Sequence, residues 1–204
     1  MKPIKSLLVL ALVCIPALAS AQGYYGNGRP GTVEGGFHNR VGRLTFGGSI
    51  GLGGMSDNGS AITSCDNCNY NPLAGEADFH IGGVLTPRFA LMFEGQANVQ
   101  TIHSDARDGD TVLSQTAAMI AGQFWILPVL WVKGGIGFAH LQVDDSYVTA
   151  DLGNGLAVMG AVGVELMSAR RFALELQGRL TEGTYNSGDD HVTSGTIGIG
   201  VNWY

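Results

Sequence analysis

The sequence predicts an all-β fold: an antiparallel up-and-down transmembrane β-barrel of eight strands, with its apolar face outward. Three observations point there. Strict alternation of apolar and polar residues dominates the chain beyond residue 43, and helical periodicity is absent. The alternating segments are long, the clearest covering 89–100. A membrane-crossing β-strand needs about 9–11 residues, whereas soluble strands usually have about 5–6. The links between segments alternate between short and long, as in membrane barrels.

The N-terminus reads as an export signal. Lys2 and Lys5 precede the apolar run Leu7-Leu8-Val9-Leu10-Ala11-Leu12-Val13, and Pro16 and Ala19-Ser20-Ala21 follow. A basic start, an apolar stretch and a small-residue cleavage site define a signal peptide over 1–21, too short for a retained helix. Cys14 lies inside it, preceded by Val13 rather than the small residue a lipoprotein needs. Residues 22–42 are Gly-rich and polar without a period, and read as a flexible periplasmic leader. The barrel occupies 43–204.

The first strand runs near 43–55, with Leu44, Phe46, Ile50 and Leu52 on one face and Thr45, Ser49 and glycines on the other. The second spans about 76–85, with Phe79, Ile81 and Leu85 opposite Asp78 and His80. The third, 89–100, sets Phe89, Leu91, Phe93, Ala97 and Val99 against Met92, Glu94, Gln96 and Asn98. The fourth, about 111–126, sets Ala118, Ile120, Phe124 and Ile126 against Gln115, Ala117 and Gln123. The fifth, about 130–142, has Leu130, Val132, Ile136 and Phe138 opposite Lys133 and glycines. The sixth, about 156–166, has Leu156, Val158, Val162, Val164 and Leu166 opposite Met159 and Glu165. In the seventh, Phe172, Leu174, Leu176 and Leu180 oppose Glu175, Gln177, Arg179 and Thr181. The last, 192–204, has Ile197, Ile199, Val201 and Trp203 opposite Thr196, Asn202 and glycines. Side chains alternate across a strand, so each segment has one greasy and one polar face.

The links 86–88, 127–129 and 167–171 are short. Those near 56–75, 102–110 and 143–155 are longer and rich in Asp, Asn and Gly, and the link near 185–191 is intermediate. An even strand count leaves both termini in the periplasm. A soluble sandwich or lipocalin-like barrel also alternates, but it needs a second sheet or a closed interior for its apolar face. Here the polar faces carry ionisable groups at mid-strand: Asp78, His80, Glu94, Lys133, Glu165, Glu175 and Arg179. Lipid forces closure of the sheet, and eight strands leave a bore only wide enough for side chains. Those groups therefore share a sealed interior, either as a satisfied ion-pair network or as a proton or ion path. Trp125, Trp131 and Trp203 fall near the periplasmic strand ends, where an interfacial aromatic girdle is expected.

The chain ends Gly198-Ile199-Gly200-Val201-Asn202-Trp203-Tyr204, and 123–135 resembles a hairpin common in bacterial outer-membrane barrels. With the signal peptide and eight segments, 44–204 resembles the small bacterial outer-membrane β-barrel superfamily of OmpA/OmpX type. The terminal aromatic resembles the assembly signal of such barrels, with Trp203 in phase with the outward residues and Tyr204 one beyond. The resemblance implies the cell outer membrane, general secretory export, insertion by the barrel-assembly machinery, and contact with outer-membrane lipid and lipopolysaccharide.

Several constellations bear on chemistry. Cys65 and Cys68, two residues apart in a polar loop of an exported chain, predict a disulfide; metal and redox roles lack a second ligand pair or a helix start. The formal charge is −6, and loss of Lys2 and Lys5 leaves −8. Such an acidic balance argues against nucleic acid as a partner. No cofactor motif is visible and no metal spacing forms. The acidic loops read as solvated, with cation bridging to lipopolysaccharide as the alternative. Glu182, His191 and Thr193 fall on the outward phase near the external rim. A carboxylate, an imidazole and a hydroxyl there resemble the lipid A deacylases, with His191-Val192-Thr193 standing where those enzymes carry His-x-Ser. The leading reading is a non-enzymatic barrel with a structural, surface-interaction or small-molecule role. The acyl hydrolase is the alternative, and an open pore is disfavoured by the narrow bore.

Overall fold

A computed structural model of the chain describes residues 37–62, 73–104, 109–145, 148–169, 171–185 and 190–204. The signal peptide, residues 22–36 of the leader, and Cys65 and Cys68 lie outside the described residues. The strands are β1 (Leu44–Asp57), β2 (Ser60–Ala61), β3 (Ala74–Thr86), β4 (Phe89–Ser104), β5 (Gly109–Trp125), β6 (Leu130–Asp145), β7 (Val148–Ser168), β8 (Phe172–Tyr185) and β9 (Asp190–Trp203). No helix is present among the described residues. All neighbours pair antiparallel in the order β2-β1-β3-β4-β5-β6-β7-β8-β9. The sheet closes because β1 also pairs with β9, from Phe46↔Trp203 to Asp57↔Val192. The result is a closed eight-stranded barrel with β2 as one extra strand at its rim.

All eight segments expected from alternation are strands. Several run further than their apolar pattern, with β4 reaching Ser104 and the β6–β7 hairpin reaching Asp145↔Val148. Backbone pairing does not require an apolar face, so the ladder continues into polar sequence. Two features were not anticipated. Asn58 and Gly59 both have positive φ (48° and 80°) and connect β1 to β2 as a two-residue hairpin loop. Asn-Gly is the sequence best suited to that turn. A bulge in β7 leaves Leu152 unpaired, since Leu141 pairs with Gly153 and Gln142 with Asp151, and the adjoining Gly153 has a φ of 119° that suits only glycine.

The three short connections, the start of β1 and the end of β9 gather at one end, here the turn end. The remaining links, 58–73 (which holds β2), 105–108, 146–147 and 186–189, gather at the other end, the loop end. Only the first is long, because strand pairing takes up most of the expected links near 102–110 and 143–155. The outward face is an apolar band: Phe138 is 73% exposed, Ile50 72%, and Ile136 and Ile197 both 69%. Leu52, Phe79, Ile120, Leu156 and Leu180 continue it around the cylinder. A soluble monomer rarely exposes an apolar patch beyond a few hundred Å², whereas a closed sheet in hydrocarbon needs such a face all round. Phe79 lies flat over Gly95 on this face, where a Cβ would collide with its ring. On the inner face, Trp131 occupies the same kind of space over Gly163.

Two expectations are corrected. The aromatic girdle holds for Trp203 alone: Trp125 and Trp131 are buried and face the bore. Each lies an even number of residues from inward Gln123 and Lys133, so the pleat turns it inside. The disulfide expected of Cys65 and Cys68 is withdrawn: no disulfide bond is present among the described residues, and the spacing of the pair in an exported chain was its sole support.

Candidate functional site

The alternation of each strand sends one polar or small side chain inward every second residue, and eight strands stack these into layers. The bore holds ionic groups at two levels, a central one and one at the turn end. Glu76, Asp78, Glu94, Glu165 and Glu175 are buried with Arg40, Lys133, Arg179 and His80. Five carboxylates thus face three permanent cations and one imidazole. Arg179 from β8 is the hub: Nη1 lies 2.6 Å from Glu94 Oε1 and 3.2 Å from Glu76 Oε1, and Nη2 lies 3.0 Å from Asp78 Oδ2. Lys133 Nζ reaches Glu94 Oε2 at 3.1 Å. His80 Nδ1 is 3.5 Å from Asp78 Oδ1, and its Nε2 meets Asn202. Ser49 and Thr196 donate to Asp78 and Glu76 respectively, and Gln177 Nε2 donates to Ser49 Oγ at 2.6 Å.

Toward the loop end the bore becomes an amide layer. Gln96 Nε2 donates to Glu76 (3.4 Å) and its Oε1 accepts from Thr181 (2.8 Å). Asn98 Nδ2 donates to Gln115, which in turn donates to the Tyr185 hydroxyl at 3.0 Å and the Val192 carbonyl at 3.2 Å. Above it sits an apolar lid of Met55, Leu113, Leu141 and Val192, with Ile62 and Val143 packed on it. Gln100 pins the lid through bonds of 2.9 Å to the Ile62 carbonyl and the Met55 amide.

At the turn end the floor is aromatic. Trp131 Nε1 donates to Glu175 Oε2 (3.0 Å) and Trp125 Nε1 to Glu165 Oε1 (2.8 Å). Residues 37–42, the end of the sequence-read leader, turn into this mouth. Arg40 forks onto Glu165 with bonds of 2.8 and 3.0 Å and donates to the Ala169 carbonyl at 2.8 Å. Its guanidinium lies 3.8 Å from the centroid of the Tyr204 ring. Burial first, and then the adjacent Glu165 carboxylate, pushes the Tyr204 phenol well above its ordinary range.

All seven interior residues expected from sequence face the bore. Asp78, His80, Glu94, Lys133 and Arg179 enter one cluster, while Glu175 and Glu165 belong to the floor with Trp131, Trp125 and Arg40. Sequence reasoning passed over Glu76, although its phase matches Asp78 and His80, and over Arg40, which no periodicity marks. At the loop-end rim, Glu182 pairs with Thr193 and Thr184 with His191 across β8–β9. His191 Nδ1 is 3.2 Å from Glu182 Oε1 and 3.3 Å from Thr184 Oγ1. Thr193 instead accepts through its carbonyl from Ser56. A nucleophile–base–orienter set needs carboxylate and hydroxyl on opposite ring nitrogens; here both meet Nδ1. Among the described residues no group of three or more His, Cys, Asp or Glu side chains is arranged to hold a metal.

The closed eight-stranded antiparallel sheet with an apolar exterior and a filled bore matches the fold of small outer-membrane barrel proteins. No family model and no curated relative matches the sequence. Solved structures do match in fold. Ail, the attachment invasion locus protein of Yersinia pestis, is 12% identical with a TM-score of 0.54, over 78% of this chain and 98% of that chain. Neisserial surface protein A (NspA) is 13% identical with a TM-score of 0.54, over 78% of this chain and 96% of that chain. At these identities the likeness is one of fold.

Proposed function

We propose that the protein is an integral outer-membrane barrel that carries surface loops on a rigid, non-conducting cylinder, with a structural or surface-interaction role. The observation behind this reading is the pairing of an apolar exterior with a bore filled from floor to lid. Eight strands leave no spare lumen, and the described interior holds ion pairs, amides and a lid in series, which disfavours passage of a solute. The turn end, with both termini, lies in the periplasm, and the loop end faces outward, where loops on a rigid scaffold are the natural site of binding. Residues 1–21 direct export, 22–42 lead into the barrel mouth, and the barrel-assembly machinery inserts the strands among phospholipid and lipopolysaccharide.

The test combines two measurements on the purified mature chain. It should migrate faster on a gel unheated than boiled, and show a β circular-dichroism spectrum in micelles. Added to planar bilayers, it should give no stable conductance. A steady ohmic current would overturn the non-conducting reading, and free solubility without detergent would overturn the membrane reading.

A further inference from the structure

The two rims of the barrel differ in charge. Among the described residues, the Asp and Glu side chains that are not buried, Asp57, Asp144, Asp151, Glu182 and Asp190, all lie at the loop end. The turn end carries arginines instead. Arg43 precedes β1, Arg88 forms the β3–β4 turn and Arg171 precedes β8. Around the cylinder, β8, β9, β1, β3 and β4 are consecutive neighbours, so these three side chains form one basic arc over half of the rim. Arg88 and Arg171 are exposed, and the Arg88 guanidinium rests 4.4 Å from the centroid of the Phe37 ring at the mouth. Arg43 is held at the seam by a bond of 3.4 Å to the main-chain oxygen of Tyr204.

Directly beside this arc, on the lipid face, is an aromatic shelf. Phe172, Trp203 and Phe46 occupy one row across β8, β9 and β1. Trp203 stacks on Phe46 at 5.6 Å and 11°, and meets Phe172 edge-on at 5.5 Å. Phe46 and Trp203 remain 49% and 41% exposed. The shelf lies one residue inside Arg171 and three inside Arg43, so these arginines stand closer to the turn-end rim than the rings do. Guanidinium forks match phosphate oxygens, and amphipathic rings favour this depth.

We propose that the seam of the barrel at its turn end is a contact for anionic phospholipid, in which Arg43, Arg88 and Arg171 engage phosphate headgroups while Phe46, Trp203 and Phe172 take the adjoining acyl chain. This rests on the membrane reading above and specifies which lipid the barrel selects. The occupant is a lipid rather than a soluble phosphate because charge and apolar shelf are contiguous.

The test uses the full mature chain folded into phosphatidylcholine vesicles with rising fractions of phosphatidylglycerol. The unfolding midpoint, read from the heat-dependent gel shift, should rise with the phosphatidylglycerol fraction and fall back in high salt. Native mass spectrometry should show retained phosphatidylglycerol. Each Arg→Gln change should weaken retention about fivefold, the triple variant should lose the headgroup dependence, and the triple Arg→Lys variant should keep most of it. Trp203→Ala should reduce retention with the arginines intact. Equal midpoints in both lipids, an unaltered triple Gln variant, or competition by free inorganic phosphate as strong as by lipid would each overturn the proposal. In those cases the barrel has inserted and the membrane reading stands; failure to insert would instead remove both.

Discussion

Arg40 and Glu165 are 125 residues apart in sequence and are joined by two near-parallel hydrogen bonds of 2.8 and 3.0 Å. The pair ties the approach to the first strand onto the sixth strand of the closed barrel, beneath the Tyr204 ring. Breaking a buried pair by removing one partner leaves an uncompensated charge and costs about 3–5 kcal/mol. Arg40→Ala should therefore lower the unfolding midpoint in denaturant and speed hydrogen exchange in 37–42. Adding Glu165→Gln should recover part of the loss; a double variant as weak as the sum of both singles would show the two side chains to be uncoupled.

Arg179 answers three carboxylates at once. Arg179→Met should destabilise the barrel more than Lys133→Met, because Glu76, Asp78 and Glu94 all lose a cation, against chiefly Glu94 in the second case. The expected loss is about 3–5 kcal/mol or more, measured by reversible unfolding in vesicles. Equal effects of the two substitutions would contradict the hub.

Trp131 is wholly buried over Gly163. Trp131→Ala should cost about 3–5 kcal/mol through the cavity it leaves. Gly163→Val should also destabilise, since its side chain needs the volume the indole fills, by about 1–3 kcal/mol. Combining the two should be milder than their sum, and strict additivity would place the ring elsewhere.

The exterior can be tested with one charge. Ile136 is on the outward face near the middle of the apolar band, and Ile136→Arg should cost about 2–4 kcal/mol in a bilayer. The same change on a water-exposed strand would be close to neutral, so a neutral result in vesicles would remove lipid from this face.

The rim pair Glu182–His191 is open to a direct assay. With both ring contacts on Nδ1, lipid A from cells with and without the protein should have the same acyl chains by mass spectrometry. Loss of a chain that depends on His191 would revive the hydrolase.

Much of this fold was legible because a membrane strand writes its two solvents into alternate residues. The eight segments, their outward faces and seven interior polar groups follow from phase alone. Phase also decided the tryptophans: Phe124 and Ile126 outward make Trp125 inward, and the expectation of a girdle fails because it weighed position along the strand over side of the sheet. Glu76 was readable by the same rule. The Asn58-Gly59 hairpin was readable from its turn chemistry. Arg40 was not, because its place depends on Glu165 and Tyr204, which only the closed barrel brings near. The wiring of Arg179 to three acids is likewise a product of curvature, which no single strand records.

The seam between the first and last strands has a bearing on how the molecule is made. Without the β1–β9 ladder the sheet keeps two unpaired edges, which hydrocarbon does not tolerate, so the lipid-facing cylinder and the enclosed charges depend on the pairing of its first and last strands.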